Sequence, residues 1–243
     1  MRALMLKEIR SFLNSITGYL VIIVYLLINS VFLWLFSGNF NLLDGNYASV
    51  DSLFIISPWV FMFLIPAITM RMFADEKKGG TMELLLTKPL SDMNIVWSKF
   101  TAGFILVLLS ILPTVLYYYS IYQLGNPIGN IDSGSVFGSY IGLLLLGSSY
   151  VAIGVFSSSL TDNQIISFLI SLFLCFFFYI GFEEISSLEI FNNADLMIKG
   201  LGINEHYSSI SRGVVDSRDI LYFGGLIFIF AQATRLVLQS RKW

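Results

Sequence analysis

Six stretches of the chain, residues 16–36, 53–73, 100–124, 136–160, 164–182 and 220–238, are apolar around their whole circumference and hold no Asp, Glu, Lys, Arg or His at mid-length. A helix in a soluble domain buries one stripe and turns the other face to water. A segment of about 20 residues without a polar face instead has the length to cross a hydrocarbon layer about 30 Å thick. The remaining composition agrees: 56% of the 243 residues are hydrophobic and 12% charged, against roughly 45–50% and 25% in ordinary soluble domains. The expected fold is an all-α integral membrane protein with six transmembrane helices in a single domain over residues 1–243.

Charge placement orients the spans, because Lys and Arg accumulate on the cytoplasmic side. Arg2, Lys7 and Arg10 precede the first span; Arg71, Lys77, Lys78, Lys88 and Lys99 cluster between the second and third; Arg235, Arg241 and Lys242 close the chain. Loops 37–52 and 125–135 have neither Lys nor Arg. Both termini are therefore predicted to be cytoplasmic, leaving only Lys199, Arg212 and Arg218 outside. The net charge of -2 lacks the clustered basic patch of a nucleic-acid binder. The apolar run after Arg10 is too long for a typical signal-peptide core and no A-x-A-like site follows it, which makes it an uncleaved first span.

Within the spans, Pro58, Pro66 and Pro113 each remove a backbone donor and are expected to kink their helices, with neighbours satisfying the freed carbonyl. Gly138, Gly142, Gly147, Ser148, Ala152, Gly154 and Ser158 give the fourth span a small-residue packing face. Cys175, the only cysteine, lies in an apolar run and reads as filler. With no ionisable group at mid-depth, proton- or ion-driven transport has no relay to use. No G-x-x-x-x-G-K-[ST], Ser-His-Asp or H-E-x-x-H pattern is present either, so no catalytic residue is assigned and any energy must come from a partner.

The polar chemistry concentrates in the loop 74–99. Gly79 and Gly80 break the second helix, and Thr81 can cap a short new helix with Glu83 in its first turn. Met82 and Leu84, Leu85 and Leu86 give that helix an apolar surface. Pro89 ends it, and Ser91 can cap the helix entering the third span. Such a helix either rests its leucines on acyl chains or inserts them into a groove on a cytoplasmic partner, with Glu76, Lys77 and Lys78 at the rim.

The pattern E-x-x-x-G-T-x-x-x-L-x-x-x-P formed by Glu76, Gly80, Thr81, Leu85 and Pro89 resembles the cytoplasmic loop after the second span in permeases of the ABC-2 family. "LKEIRSFLNSITGYL", with Lys7, Glu8 and Arg10, is similar to that family's interfacial entry helix. "GSSYVAIGVFSSSLTDNQ" and "HYSSISRGVVDSRDILYF" resemble its fourth-to-fifth helix turn and the approach to its last helix. The overall likeness is greatest to the gliding-motility, GldF-like branch, with NosY-like permeases of copper-site maturation as the alternative. What the resemblance implies is a multi-pass subunit of the bacterial inner membrane that exports substrate. A GldA-like cytoplasmic ATPase, binding ATP and Mg, would dock on a coupling helix over residues 81–88; a second permease, its own copy or a GldG-like one, would complete the unit. This chain itself would carry no cofactor and no metal.

Residues 183–219 form the largest outer loop, with apolar positions spaced for short amphipathic helices broken at Gly200 and Gly202 and an acidic rim of Glu183, Glu184, Glu189, Asp195 and Glu205. In the ABC-2 family such pieces re-enter the outer leaflet and cap the route, which places His206 and Tyr207 in an outer cap. His206 has no second His or Cys near it in sequence, so capping or packing is its expected role rather than metal ligation. A reading of another class is a membrane scaffold that anchors a motility or secretion complex without moving substrate.

Overall fold

The computed structural model describes residues 2–45, 47–87, 90–188 and 195–240, and the side chains of Leu84 and Leu86 lie outside that description, as do the expected site residue Pro89 and Lys88, Glu189, Phe191, Arg241 and Lys242. Thirteen α-helices are present among the described residues: α1 Arg2–Leu13, α2 Ile16–Ser30, α3 Asp51–Thr69, α4 Arg71–Lys78, α5 Met82–Leu86, α6 Asp92–Ile111, α7 Val115–Leu124, α8 Ser133–Leu160, α9 Gln164–Phe176, α10 Phe182–Ser186, α11 Asp195–Lys199, α12 Ile203–Ile210 and α13 Ser217–Gln239. Among the described residues six helical stretches are long and apolar enough to cross a membrane: Gly18–Leu35, Asp51–Lys78, Asp92–Leu124, Ser133–Leu160, Gln164–Ser186 and Ser217–Gln239.

The fourth of these, α8, is the hub. Its 28 residues pack against α3, α4, α6, α9, α12 and α13. The small residues read from the sequence explain how: a Cβ on Gly154 would stand 2.0 Å from Thr69 Oγ1, so the second and fourth spans touch where only hydrogen fits. Gly138 and Gly142 do not face another span. They meet Gly213 and Ile210, so the G-x-x-x-G pair seats the segment before the last span.

Caps set the element starts. Ser15, Ser91, Asp132, Asn163 and Asp216 each accept backbone N–H bonds at the head of α2, α6, α8, α9 and α13. The prolines act unequally. Pro113 falls in a 3₁₀ turn dividing α6 from α7, whereas Pro58 and Pro66 stay inside α3. Because Pro58 has no N–H, the carbonyl of Phe54 four residues back loses its helical donor. The hydroxyl of Tyr207 donates to it instead, at 2.7 Å.

The end of the second span and the start of the third depart furthest from expectation, and both bear on function. The second span runs on through α4 to Lys78, and α6 begins at Asp92, so Lys99 lies inside a helix and is fully buried.

Candidate functional site

The site is built where α1, α4 and α6 meet. On α1, Leu4, Glu8 and Phe12 are buried; their spacing of four puts them on one stripe of the helix. Lys7 and Arg10 lie outside that stripe, with the Lys7 side chain 62% exposed. A carboxylate on a buried stripe demands a cation, and α6 supplies one: Lys99 Nζ lies 3.2 Å from Glu8 Oε1 and 2.9 Å from Glu76 Oε2 on α4. The same ammonium donates to the Met72 carbonyl and sits 4.9 Å from the centre of the Phe73 ring. Lys7 closes the figure from outside, 3.4 Å from Glu76 Oε1 and 3.6 Å from Glu8 Oε1.

Two cations and two anions thus cancel in a box that ties the entry helix to the end of the second span and the start of the third. Burial pulls the Lys7 pKa down, but Glu8 and Glu76 outweigh it, and the net direction is upward.

A second set of contacts fastens α4 to the turn between the fourth and fifth spans. At Met70, where α3 gives way to α4, the Ser158 hydroxyl donates to the Met70 carbonyl at 3.0 Å and accepts from the N–H of Phe73 at 2.9 Å and of Ala74 at 3.1 Å. Lys77 donates to the Ser159 carbonyl, and Gln164 donates to Asp75. The end of the second span is therefore held on two sides, by α1 and α6 through the charge box and by α8 and α9 through Ser158, Ser159 and Gln164.

Beyond Lys78 the chain turns through a Schellman motif. Thr81 N–H reaches the Glu76 carbonyl at 2.9 Å, Gly80 N–H reaches that of Lys77 at 3.2 Å, and Gly80 adopts φ 66°, the left-handed conformation that favours glycine. The sequence expectation of a break at the two glycines is met. Its detail is corrected: Thr81 forms no side-chain cap on α5, because its hydroxyl points back to the Glu76 carbonyl, 3.3 Å away. Of the expected leucine knob, only the Leu85 side chain is described. Met82 and Leu85 are buried in the chain's own core, while Thr81, Glu83 and Thr87 are exposed. The expected rim separates in the same way. Glu76 and Lys77 are spent inside the molecule; Lys78, Gly79 and Gly80 are exposed.

The chain matches the family described as ABC-2 family transporter protein over residues 3–215. It belongs to that family. The match takes in the charge box, α5 and the first five spans of the permease, and ends just before α13. No curated protein matches the chain.

At the opposite end of the permease, His206 and Tyr207 take capping roles. Tyr207 serves Phe54, as above. His206 stacks on Tyr222, with ring centres 3.9 Å apart; its Nδ1 lies 2.7 Å from Asp219 Oδ1 and its Nε2 lies 3.0 Å from the Gly200 carbonyl. Among the described residues, no three His, Cys, Asp or Glu side chains gather as a metal site would require. Sequence reasoning missed Lys99 and Asp219 as site residues. Glu8 on an apolar stripe was the available signal for a buried cation; for Asp219 the sequence offers none beyond its place at a helix start.

Proposed function

We propose that this permease is the non-catalytic membrane subunit of an ATP-driven exporter, moved by a separate cytoplasmic ATPase that binds ATP and Mg and docks beside α5. The observation that carries this reading is the double fastening of α4. A push on the loop after Gly80 cannot be absorbed locally, because α4 is joined to α1 and α6 by the charge box and to α8 and α9 by Ser158, Ser159 and Gln164. It is passed on to every span that meets there.

The described residues exposed on this side are Lys78, the Gly79–Gly80 turn, Thr81, Glu83 and Thr87, and these are the positions offered to the ATPase. The lysine-rich end is cytoplasmic on this reading, since Lys7, Arg10, Arg71, Lys77, Lys78 and Lys99 all collect there. The sequence likeness to the gliding-motility branch further supports a GldA-like ATPase and a second permease, either another copy or a GldG-like chain, in a bacterial inner membrane.

Exposed Glu83 is the position to test. Glu83→Arg reverses a surface charge without touching the core, so thermal stability stays within about 0.5 kcal/mol of the parent. Association with the ATPase is expected to weaken by tenfold or more. Unchanged association with Glu83→Arg and Lys78→Glu alike would remove this surface from the contact, whereas a scaffold reading requires that ATP-hydrolysis-dead ATPase leave the cellular function intact.

A further inference from the structure

The proton count at His206 carries an inference that is independent of the ATPase reading. A carbonyl oxygen only accepts, so the 3.0 Å contact with Gly200 requires hydrogen on Nε2. An ionised carboxylate also only accepts, so the 2.7 Å contact of Nδ1 with Asp219 requires a proton between those atoms. A neutral imidazole beside an ionised Asp219 has one hydrogen for two acceptors and must give up one contact. The Asp219 side chain is 10% exposed and that of His206 19%, leaving water little room to replace the lost partner.

We propose that His206, Asp219 and the Gly200 carbonyl form a proton-held latch that fastens the segment 199–213 to the head of α13 and releases it as pH rises. The fastened elements are specific: Tyr222, on which the imidazole stacks, donates to the Leu201 carbonyl at 2.7 Å. The segment's far end is seated against α8 by Ser135 and Ser139, which donate to the Arg212 and Ser211 carbonyls. Release therefore loosens the Gly200 side of the Gly200–Leu201 corner first, while the Tyr222 bond still holds the Leu201 carbonyl.

The other charged groups nearby are already engaged. Lys199 pairs with Glu205 at 3.0 Å, Asn204 donates to Glu183 at 2.8 Å, and Asp216 accepts from the Arg218 N–H at 2.9 Å. The closed latch binds one proton more than the open one, so each pH unit of increase favours opening by up to about tenfold.

His206 is the only histidine, so a single imidazole is read directly. The experiment uses the full chain, labelled with 15N-histidine, in nanodiscs between about pH 5 and pH 9, the range around ordinary imidazole titration. Hydrogen exchange of residues 199–213, corrected for intrinsic rates, is followed in parallel. Protection of Gly200 to Gly202 is expected to fall in step with loss of the imidazole proton. In Asp219→Asn the amide donates to Nδ1 of a neutral ring while Nε2 still serves Gly200, so protection is expected to persist through the same titration. Protection that ignores the titration in the native chain, or that falls identically in Asp219→Asn, would overturn the latch.

Discussion

Lys99 shows what one residue can decide. A fully buried ammonium is tolerated because it donates to Glu8 and to the Met72 carbonyl and pairs with the Glu76 carboxylate at 2.9 Å. Lys99→Met would leave two carboxylates buried side by side with only the exposed Lys7 between them, and is expected to cost about 3–5 kcal/mol. Adding Glu8→Met should recover more than half of that loss; thermal unfolding in detergent measures both, and equal loss in single and double variants would show that the box contributes no net pairing. Tyr207 is a second decisive residue. Tyr207→Phe keeps the ring and removes the donor that serves the Phe54 carbonyl, with an expected cost of about 1–3 kcal/mol. No measurable cost would mean that another donor reaches that carbonyl.

Between elements, glycines set the geometry. Gly80→Ala places a Cβ on a residue at φ 66°, costing about 1–2 kcal/mol, while Gly79, at φ −82°, carries no such backbone strain and its Cβ would meet only the Asp75 carbonyl oxygen at 3.1 Å and the Thr81 hydroxyl at 3.9 Å. Coupling read as permease-stimulated ATP hydrolysis should therefore fall in Gly80→Ala and hold in Gly79→Ala; equal effects would detach the turn from transmission. The six spans, their order and the break at Gly79–Gly80 were legible in the sequence because apolar length and paired glycines are local signals. The box was not, since Glu8, Glu76 and Lys99 are brought together across 91 residues by packing that no short window contains. The inward turn of Leu85 was missed for a related reason. The sequence around Leu85 does not say which way its side chain points, and the direction in which α5 leaves α4 is set by the Schellman turn before it.

For the whole molecule, the arrangement is an ABC-2 family permease whose loop end is joined to its bundle on two sides, and we propose that another chain supplies its energy. The most direct test is purification of this protein from its native membrane in mild detergent, with mass spectrometry of what accompanies it. A P-loop ATPase in about equal amount, lost in Glu83→Arg while the permease remains folded, is the predicted result. Reproducible absence of any ATPase, under conditions that keep other membrane complexes together, would contradict the account.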